Sequence, residues 1–351
     1  MQQLINKIAG IAAIAVLAAC NGAKKMPAAD VVRPVVVTEK VVFDTDDPAI
    51  WINAADPSAS LIVGTDKETN GGIYAFDLNG RIVRKVVGLQ RPNNIDIAYG
   101  FLLAGKPVDI AVVTERETNK LRFYSLPDLT PLDNNIGIDL FAGEKQRDPM
   151  GVAFYTRPAD KAIFVIAGRK TGPAQGYLWQ YQLVDDNGKV ALKKVREFGR
   201  YSGRKEIESI AVDNELGYVY YSDEGYGVHK YLADPAANNN NELGVFGTTG
   251  FKSDHEGISI YKTGPKTGYI LVSNQQSNSF MIYPREGSQT NPHQHDLIAE
   301  VPVLANESDG SEVTSLPIND KFPKGIFVTM SNGRVFHYYD WRDIAKKAGL
   351  E

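Results

Sequence analysis

The chain has almost no cysteine: Cys20 is the only one in 351 residues. A lone cysteine excludes an intramolecular disulfide and leaves no cysteine nucleophile in the folded domain. Histidine is scarce as well, with five in all. His293 and His295 fall in a Pro-flanked loop, and His229, His255 and His337 are scattered without metal-ligand spacing, so they offer no zinc-type site. A surplus of positive charge is also missing. The formal net charge of -4 argues against a general nucleic-acid binder, which would normally show a basic surplus. It does not exclude a polyanionic ligand, because bound divalent cations would invert the local field. The apolar run Ile8 to Leu17 is too short to span a bilayer as a final anchor. A helical pattern is convincing only at Trp341 to Leu350. What remains is a composition of 43% hydrophobic and 23% charged residues, ordinary for a soluble globular chain.

The first twenty residues read as a targeting segment, with Lys7 in a positive n-region ahead of the short apolar run. Leu17-Ala18-Ala19-Cys20 reads as a lipobox, which makes Cys20 the expected lipidation site. Asn21 after the cysteine favours the outer membrane over the inner one. A lipid-anchored protein of the bacterial envelope is expected, facing the periplasm or the cell surface, with the lipid as its sole membrane contact. Residues 21–40 carry Ala, Lys, Pro and Val without helical period and read as a tether.

From residue 41 to the end, one unit recurs six times. The copies IYAFDL, LRFYSL, LWQYQL, VHKYLA, FMIYPR and VFHYYD align on Phe76, Tyr124, Tyr181, Tyr231, Tyr283 and Tyr338. Their spacing of roughly fifty residues is the length of a four-stranded propeller blade. Each copy follows a run that is apolar and then abruptly polar: LIVGTDK, IAVVTER, IFVIAGRK, VYYSDE, ILVSNQQ and IFVTMSN. Such a run reads as a buried strand turning into the aromatic strand. A third element, polar first and apolar after, precedes each. The expected fold is all-β, a single-domain six-bladed β-propeller over residues 41–351. A β-sandwich also shows alternating strands, but six copies in register favour the closed ring. A closed propeller needs no partner to cover its edges, so a monomer is expected.

The repeat brings two polar sets to one mouth. Residues leading into the first strands include Asp46, Asp47, Asn93, Asn94, Asp96, Asp148, Glu206, Glu208, Asp254, Glu256, Glu307 and Asp309. Residues leaving the second strands include Asp66, Lys67, Glu115, Arg116, Arg169, Lys170, Asp223, Glu224, Asn274, Gln275 and Asn332. So many carboxylates would repel unless several are protonated or cations hold them, and an all-oxygen donor set suits Ca2+ better than Zn2+. Lys67, Arg116, Arg169 and Lys170 beside them suit a phosphorylated ligand, or else neutralise nearby carboxylates in solvated pairs.

Together, DDPAIW, TDK with GGIYAFDLNG, RPNNIDIAYG, TERETN, IES, SDEG, DHEGISIY, SNQQSNSFMIYPREG and ESDGSEV resemble the bacterial β-propeller phytases. These are calcium-dependent hydrolases of myo-inositol hexakisphosphate, and the resemblance covers nearly the whole mature chain. It implies a 3-phytase-type phosphatase holding several calcium ions, with a calcium-bridging water attacking phosphorus in line. It implies metal ligands at Asp47, Glu208, Glu224, Asp254, Glu256, Asp309 and Gln275, with Asp46 in the same acidic pair as Asp47. Catalytic roles fall on Asp47, Glu208, Glu224, Lys67 and Arg116. Contacts to the phytate phosphates fall on Lys67, Arg116 and Arg169, with Lys170 adjacent.

Three positions depart from the family pattern. Glu68 stands where a second lysine is usual, Met150 replaces a tyrosine, and Val303 replaces an aspartate ligand. Glu307 and Glu312 are the nearest carboxylates that could compensate for Val303. Two other readings fit the fold: a calcium-dependent propeller lactonase or esterase, and a non-enzymatic envelope lipoprotein binding a phosphorylated ligand or a protein.

Overall fold

The structure, a computed structural model, describes residues 30–350. The expected targeting segment 1–20, the expected lipidation site Cys20 and residues 21–29 lie outside the described residues.

The second strand of each repeat is apolar on both faces because each face packs against a different blade. Ile110 and Val112 join a cluster with Val152, Phe154 and Val165 of the following blade. Ala111 and Val113 join one with Ala49, Val63 and Ile73 of the preceding blade. Six such apolar layers separate six blades among the described residues. Strands buried on both faces read as continuous apolar runs rather than alternating ones.

Blade 1 comprises Thr45–Trp51, Leu61–Asp66, Thr69–Phe76 and Ile82–Gln90. Blades 2 to 5 begin at Pro92–Leu103, Pro149–Thr156, Ile210–Asp213 and His255–Lys262. Every pairing in these sheets is antiparallel, and the chain meanders outward through each blade in order. The single-domain six-bladed propeller expected from the repeat is the fold observed, and Trp341–Ala348 forms the one α-helix among the described residues.

Two details differ from the expectation. First, blade 6 contains Ser311–Thr314, Ile326–Ser331 and Val335–Asp340, and its outer strand is Val36–Val37 from the other end of the chain. Val36 pairs with Tyr338 and Val37 with His337. Val32 also bridges to Val303. The stretch read as a tether over 21–40 is therefore part of the propeller from Val31 onward. Two paired residues were too short a strand to stand out, yet they close the ring. Second, the repeat in blade 6 is displaced by one residue. Phe76 pairs with Ile62, Tyr124 with Ala111 and Tyr231 with Val219, and the equivalent pair in blade 6 is Tyr339 with Phe327. Tyr338 faces blade 1 instead. Two adjacent tyrosines satisfy the pattern equally, and only the pleat assigns them to opposite faces.

Candidate active site

The mouth is built from one local device repeated around the ring. In blades 1, 2, 3 and 5 the first strand carries a bulge, with the register skipping between Thr45 and Pro48, Pro92 and Ile95, Pro149 and Val152, and His255 and Ile258. A bulge sets two residues against one and re-aims their side chains. The first bulge position is Asp46, Asn93, Met150 and Glu256, and in register Glu208 and Asp309 complete the ring in blades 4 and 6. The second position is Asp47, Asn94, Gly151, Ser209, Gly257 and Gly310, packed against the next blade. A side chain at Gly310 would meet Asp47 Oδ1 at 2.4 Å, so this crossing admits only glycine.

A second ring is fixed by one backbone hydrogen bond made six times. The amides of Lys67, Arg116, Lys170, Glu224, Gln275 and Asn332 donate to the carbonyls of Asp44, Arg91, Asp148, Glu206, Asp254 and Asn306. Their lengths run from 2.7 Å at Lys170 to 3.4 Å at Gln275. The residue before each of these is buried and turned back into the fold. Asp66 accepts from Val42, Phe43 and Asp44 amides, Glu115 from Gln90 N, and Asp223 from Ser202 N.

A cavity of about 550 Å3 opens at this mouth. It is lined by Lys67, Lys170, Lys205 and Gln275 together with Glu206, Glu208, Glu224, Asp254, Glu256 and Asp309. Asp46 lies directly behind Lys67, its Oδ1 2.9 Å from Nζ, and Lys67 also binds Asp309. Asn93 Nδ2 donates to Asp46 at 2.8 Å and to Glu208 at 3.0 Å, joining blades 1, 2 and 4. Gln275 donates to Asp309. Arg116 contacts both Asn93 Oδ1 and Met150 Sδ.

Two groups of carboxylates are placed to hold a metal ion. Glu206, Glu208 and Glu224 form one, and Glu224, Asp254 and Glu256 form the other, each with ligand oxygens within 4.8 Å of one another. Glu224 belongs to both. Buried oxygens of Glu224 (Oε1) and Glu256 (Oε2) have no hydrogen-bond partner. A buried carboxylate oxygen left unpaired is costly, and a hard cation with oxygen ligands satisfies it. The electrostatics agree. Burial, then repulsion from Glu208, Glu206 and Asp254, pushes the Glu224 carboxyl up to about 9. Burial, then Glu208 and Glu224, raises Glu256 well above the carboxylate range. Burial lifts Asp46 and Asp309 to about 6, even though Lys67 opposes the shift. Asp254 goes the other way: burial pushes it up, but the Lys205 hydrogen bond and neighbouring donors bring it below its ordinary value. At Lys67, burial disfavours the charged form, and Asp46, Asp309 and Glu208 more than reverse that.

Several residues fall elsewhere than the sequence indicated. Asp47 does not face the mouth; its Oδ2 accepts from Ile95 N at 3.0 Å, tying blade 1 to blade 2. Arg169 lies outside the cavity. It is 1% exposed, its guanidinium stacks 4.5 Å from the Phe141 ring, and it donates to Gln146 O at 3.1 Å. The alternation of a strand puts Lys170, not Arg169, into the position matching Lys67 and Arg116. Asp96 lines a separate cavity of about 440 Å3 toward the other end of the strands, together with Glu312. Glu307 is exposed with its amide donating to Asn278 Oδ1, so neither Glu307 nor Glu312 stands in at the mouth for the ligand missing at Val303. Val303 is itself buried in the apolar layer between blades 5 and 6. Lys205 was missed, and Glu206 was placed at the mouth without a ligand role. The signal for Glu206 was present, because it occupies in blade 4 the position of Asp254 in blade 5.

A family model described as Phytase matches residues 2–338. The chain belongs to the phytase family. A 3-phytase of Bacillus subtilis (strain 168) is 28% identical over 326 residues, covering 87% of this chain and 81% of that protein. A solved structure described as "Structure of Dos1 propeller" aligns with 84% of this chain and 67% of its own, at 12% identity and a TM-score of 0.45.

Proposed function

We propose that the protein is a calcium-dependent phosphatase that removes phosphate groups from myo-inositol hexakisphosphate. One observation carries this reading above the others. The same mouth holds two carboxylate cradles joined at Glu224 and the cationic groups Lys67, Arg116 and Lys170 at matching blade positions. Calcium bound in the cradles supplies Lewis-acid polarisation of the phosphoryl group and positive charge against the transition state. Glu206, Glu208, Glu224, Asp254 and Glu256 would hold it there through oxygen alone. Lys67 and Lys170 donate charge-assisted hydrogen bonds to phosphate oxygens, and Arg116 offers a planar fork from the blade 2 side. Asn93 fixes Asp46 and Glu208 relative to each other and accepts from Arg116, so it aligns the cation cradle with the phosphate clamp. No side-chain nucleophile is required, and the mouth contains neither cysteine nor histidine among its lining residues.

Two of the three departures, Glu68 and Met150, bear on affinity more than on chemistry. Glu68 lies 3.8 Å from Arg91 and Met150 sits against Arg116, both on the blade 1 to blade 3 side. The cradles lie on the blade 4 and blade 5 side. A lactonase or esterase site would be expected to present a largely apolar pocket, unlike this ring of carboxylates and lysines. Phosphate release from phytate with millimolar calcium, and its loss with excess chelator, tests the proposal against p-nitrophenyl esters as alternative substrates. Ester cleavage without phosphate release would transfer the site to the lactonase reading. Tight binding of phytate without release would make the protein a binding module.

We propose also that Cys20 carries a lipid anchor in the bacterial envelope, on the strength of the lipobox. Labelling with a palmitate analogue, lost in Cys20→Ser, is the expected result; equal labelling of both proteins would contradict it.

A further inference from the structure

Lys205 enters the mouth from the loop ahead of blade 4, with its ammonium on Asp254 Oδ1 and 3.4 Å from Ser253 Oγ. Its side chain is 46% exposed, whereas that of Asp254 is 10% exposed. The long stem therefore reaches in from solvent to neutralise a carboxylate that belongs to a cation cradle. Lys170 does the same one blade earlier, 3.2 Å from Glu206 of the other cradle and 45% exposed. Both lysines line the one cavity, with Thr171 beside them.

Glu224, Asp254 and Glu256 would hold a divalent cation, and its charge would replace that of Lys205 at Asp254. An ammonium held against the same carboxylate would then face like charge at close range. Asp254 keeps Gln276 as a donor, at 2.6 Å from its Oδ2, so it does not need Lys205 to stay oriented. The exposed lysine is free to swing into the cavity, and nothing in its burial prevents it.

We propose that Lys205 is a specificity-determining residue that binds a second phosphate group of a polyphosphorylated substrate, together with Lys170, on the blade 4 side of the mouth. This rests on the phosphatase reading of the same site. It gives the chain a phosphate contact opposite the side where Glu68 and Met150 offer none. Lys205 shares Asp254 with the cradle, so a cation bound there would compete with the ammonium for the carboxylate and would couple substrate affinity to cation loading.

The test uses the folded protein with wild-type Lys205, Lys205→Gln and Lys205→Arg, and myo-inositol hexakissulfate as a probe that is not a phosphate ester. By calorimetry with millimolar calcium, Lys205→Gln is expected to weaken probe binding about tenfold, the loss of one charge-assisted hydrogen bond. Lys205→Arg should recover most of it. With chelator, wild type and Lys205→Gln should bind alike within about twofold, since Asp254 occupies the lysine. In turnover, KM for phytate should rise more than kcat falls, and more than KM for a single-phosphate ester rises. Equal losses with and without calcium, or a variant that alters only melting temperature and calcium affinity, would reduce Lys205 to a counter-ion of Asp254. Absence of phosphate release from wild type would overturn the phosphatase reading, while the binding arm would still decide the role of Lys205.

Discussion

Replacing Glu224 by glutamine should make the cation-free protein more stable at alkaline pH and the calcium-loaded protein less so. In the folded chain the Glu224 carboxyl stands at about 9 against an ordinary 4.5, raised by burial and by Glu208, Glu206 and Asp254. The sign follows from proton counting. Below the lower value both states are protonated and pH has no effect. Above it the unfolded chain ionises first, so each further pH unit favours unfolding until the folded group also ionises near pH 9. The cost is roughly 1.4 kcal/mol per pH unit for one such carboxyl. Between about pH 5 and about pH 8 it reaches roughly 4 kcal/mol, a ceiling because Glu208 and Glu256 share the protons. For a chain of this size that is roughly 6 °C in melting temperature. Glutamine has the shape of the protonated carboxyl and carries no such dependence. Differential scanning calorimetry in chelator should show the wild type losing stability over this range and Glu224→Gln losing much less. Calcium at about a hundred times its dissociation constant should then add roughly 2.7 kcal/mol to the wild type and little to the variant, whose two cradles have both lost a ligand. A wild type that gains stability with pH in chelator, or a variant that tracks it, would refute the reasoning.

Neighbouring residues with opposite orientations give further tests. Asp47→Ala should cost about 1–3 kcal/mol in urea unfolding, because Ile95 N loses its acceptor between blades. Asp46→Asn should instead keep its stability and lower phosphate release roughly tenfold or more, since it weakens the hold on Lys67 and the mouth. Arg169→Ala should cost about 2–4 kcal/mol through loss of the Phe141 stack and the Gln146 contact, with KM unchanged. Lys170→Ala should raise KM with little effect on melting. A chain beginning at Thr38 lacks the outer strand of blade 6 and the Val32–Val303 bridge, and should melt several degrees lower than one beginning at residue 21.

The fold was legible because its unit is long, repeated and strongly apolar. Six polar-to-apolar elements, six buried runs and six aromatic strands have one common solution, and their polar ends had to meet at one mouth. What stayed hidden was whatever depends on a single residue of register. Asp46 and Asp47 are adjacent acids, Arg169 and Lys170 adjacent cations, Tyr338 and Tyr339 adjacent aromatics, and composition gives each pair equal claim. Only the bulge and the pleat separate them, sending Asp46 and Lys170 to the mouth and Asp47 and Arg169 away from it, and the two tyrosines into different layers between blades. Val36 and Val37 were illegible for a different reason, as a two-residue strand has no period to detect. Glu206 could have been found, because aligning blade 4 on blade 5 sets it on Asp254. Lys205 could not, since it lies in the loop ahead of blade 4, outside the repeat position that carries Lys67, Arg116 and Lys170, and reaches Asp254 only through the packing of blade 5.

The most direct measurement is phosphate release from phytate by protein lacking residues 1–20, followed across a calcium titration for wild type and Glu224→Gln side by side. Release that rises with calcium in the wild type, vanishes in chelator, and is lost in a Glu224→Gln protein that melts cooperatively is the expected result. Release that persists in chelator, or that survives the loss of the carboxylate shared by both cradles, would contradict the assignment of the mouth as a cation-dependent phosphatase.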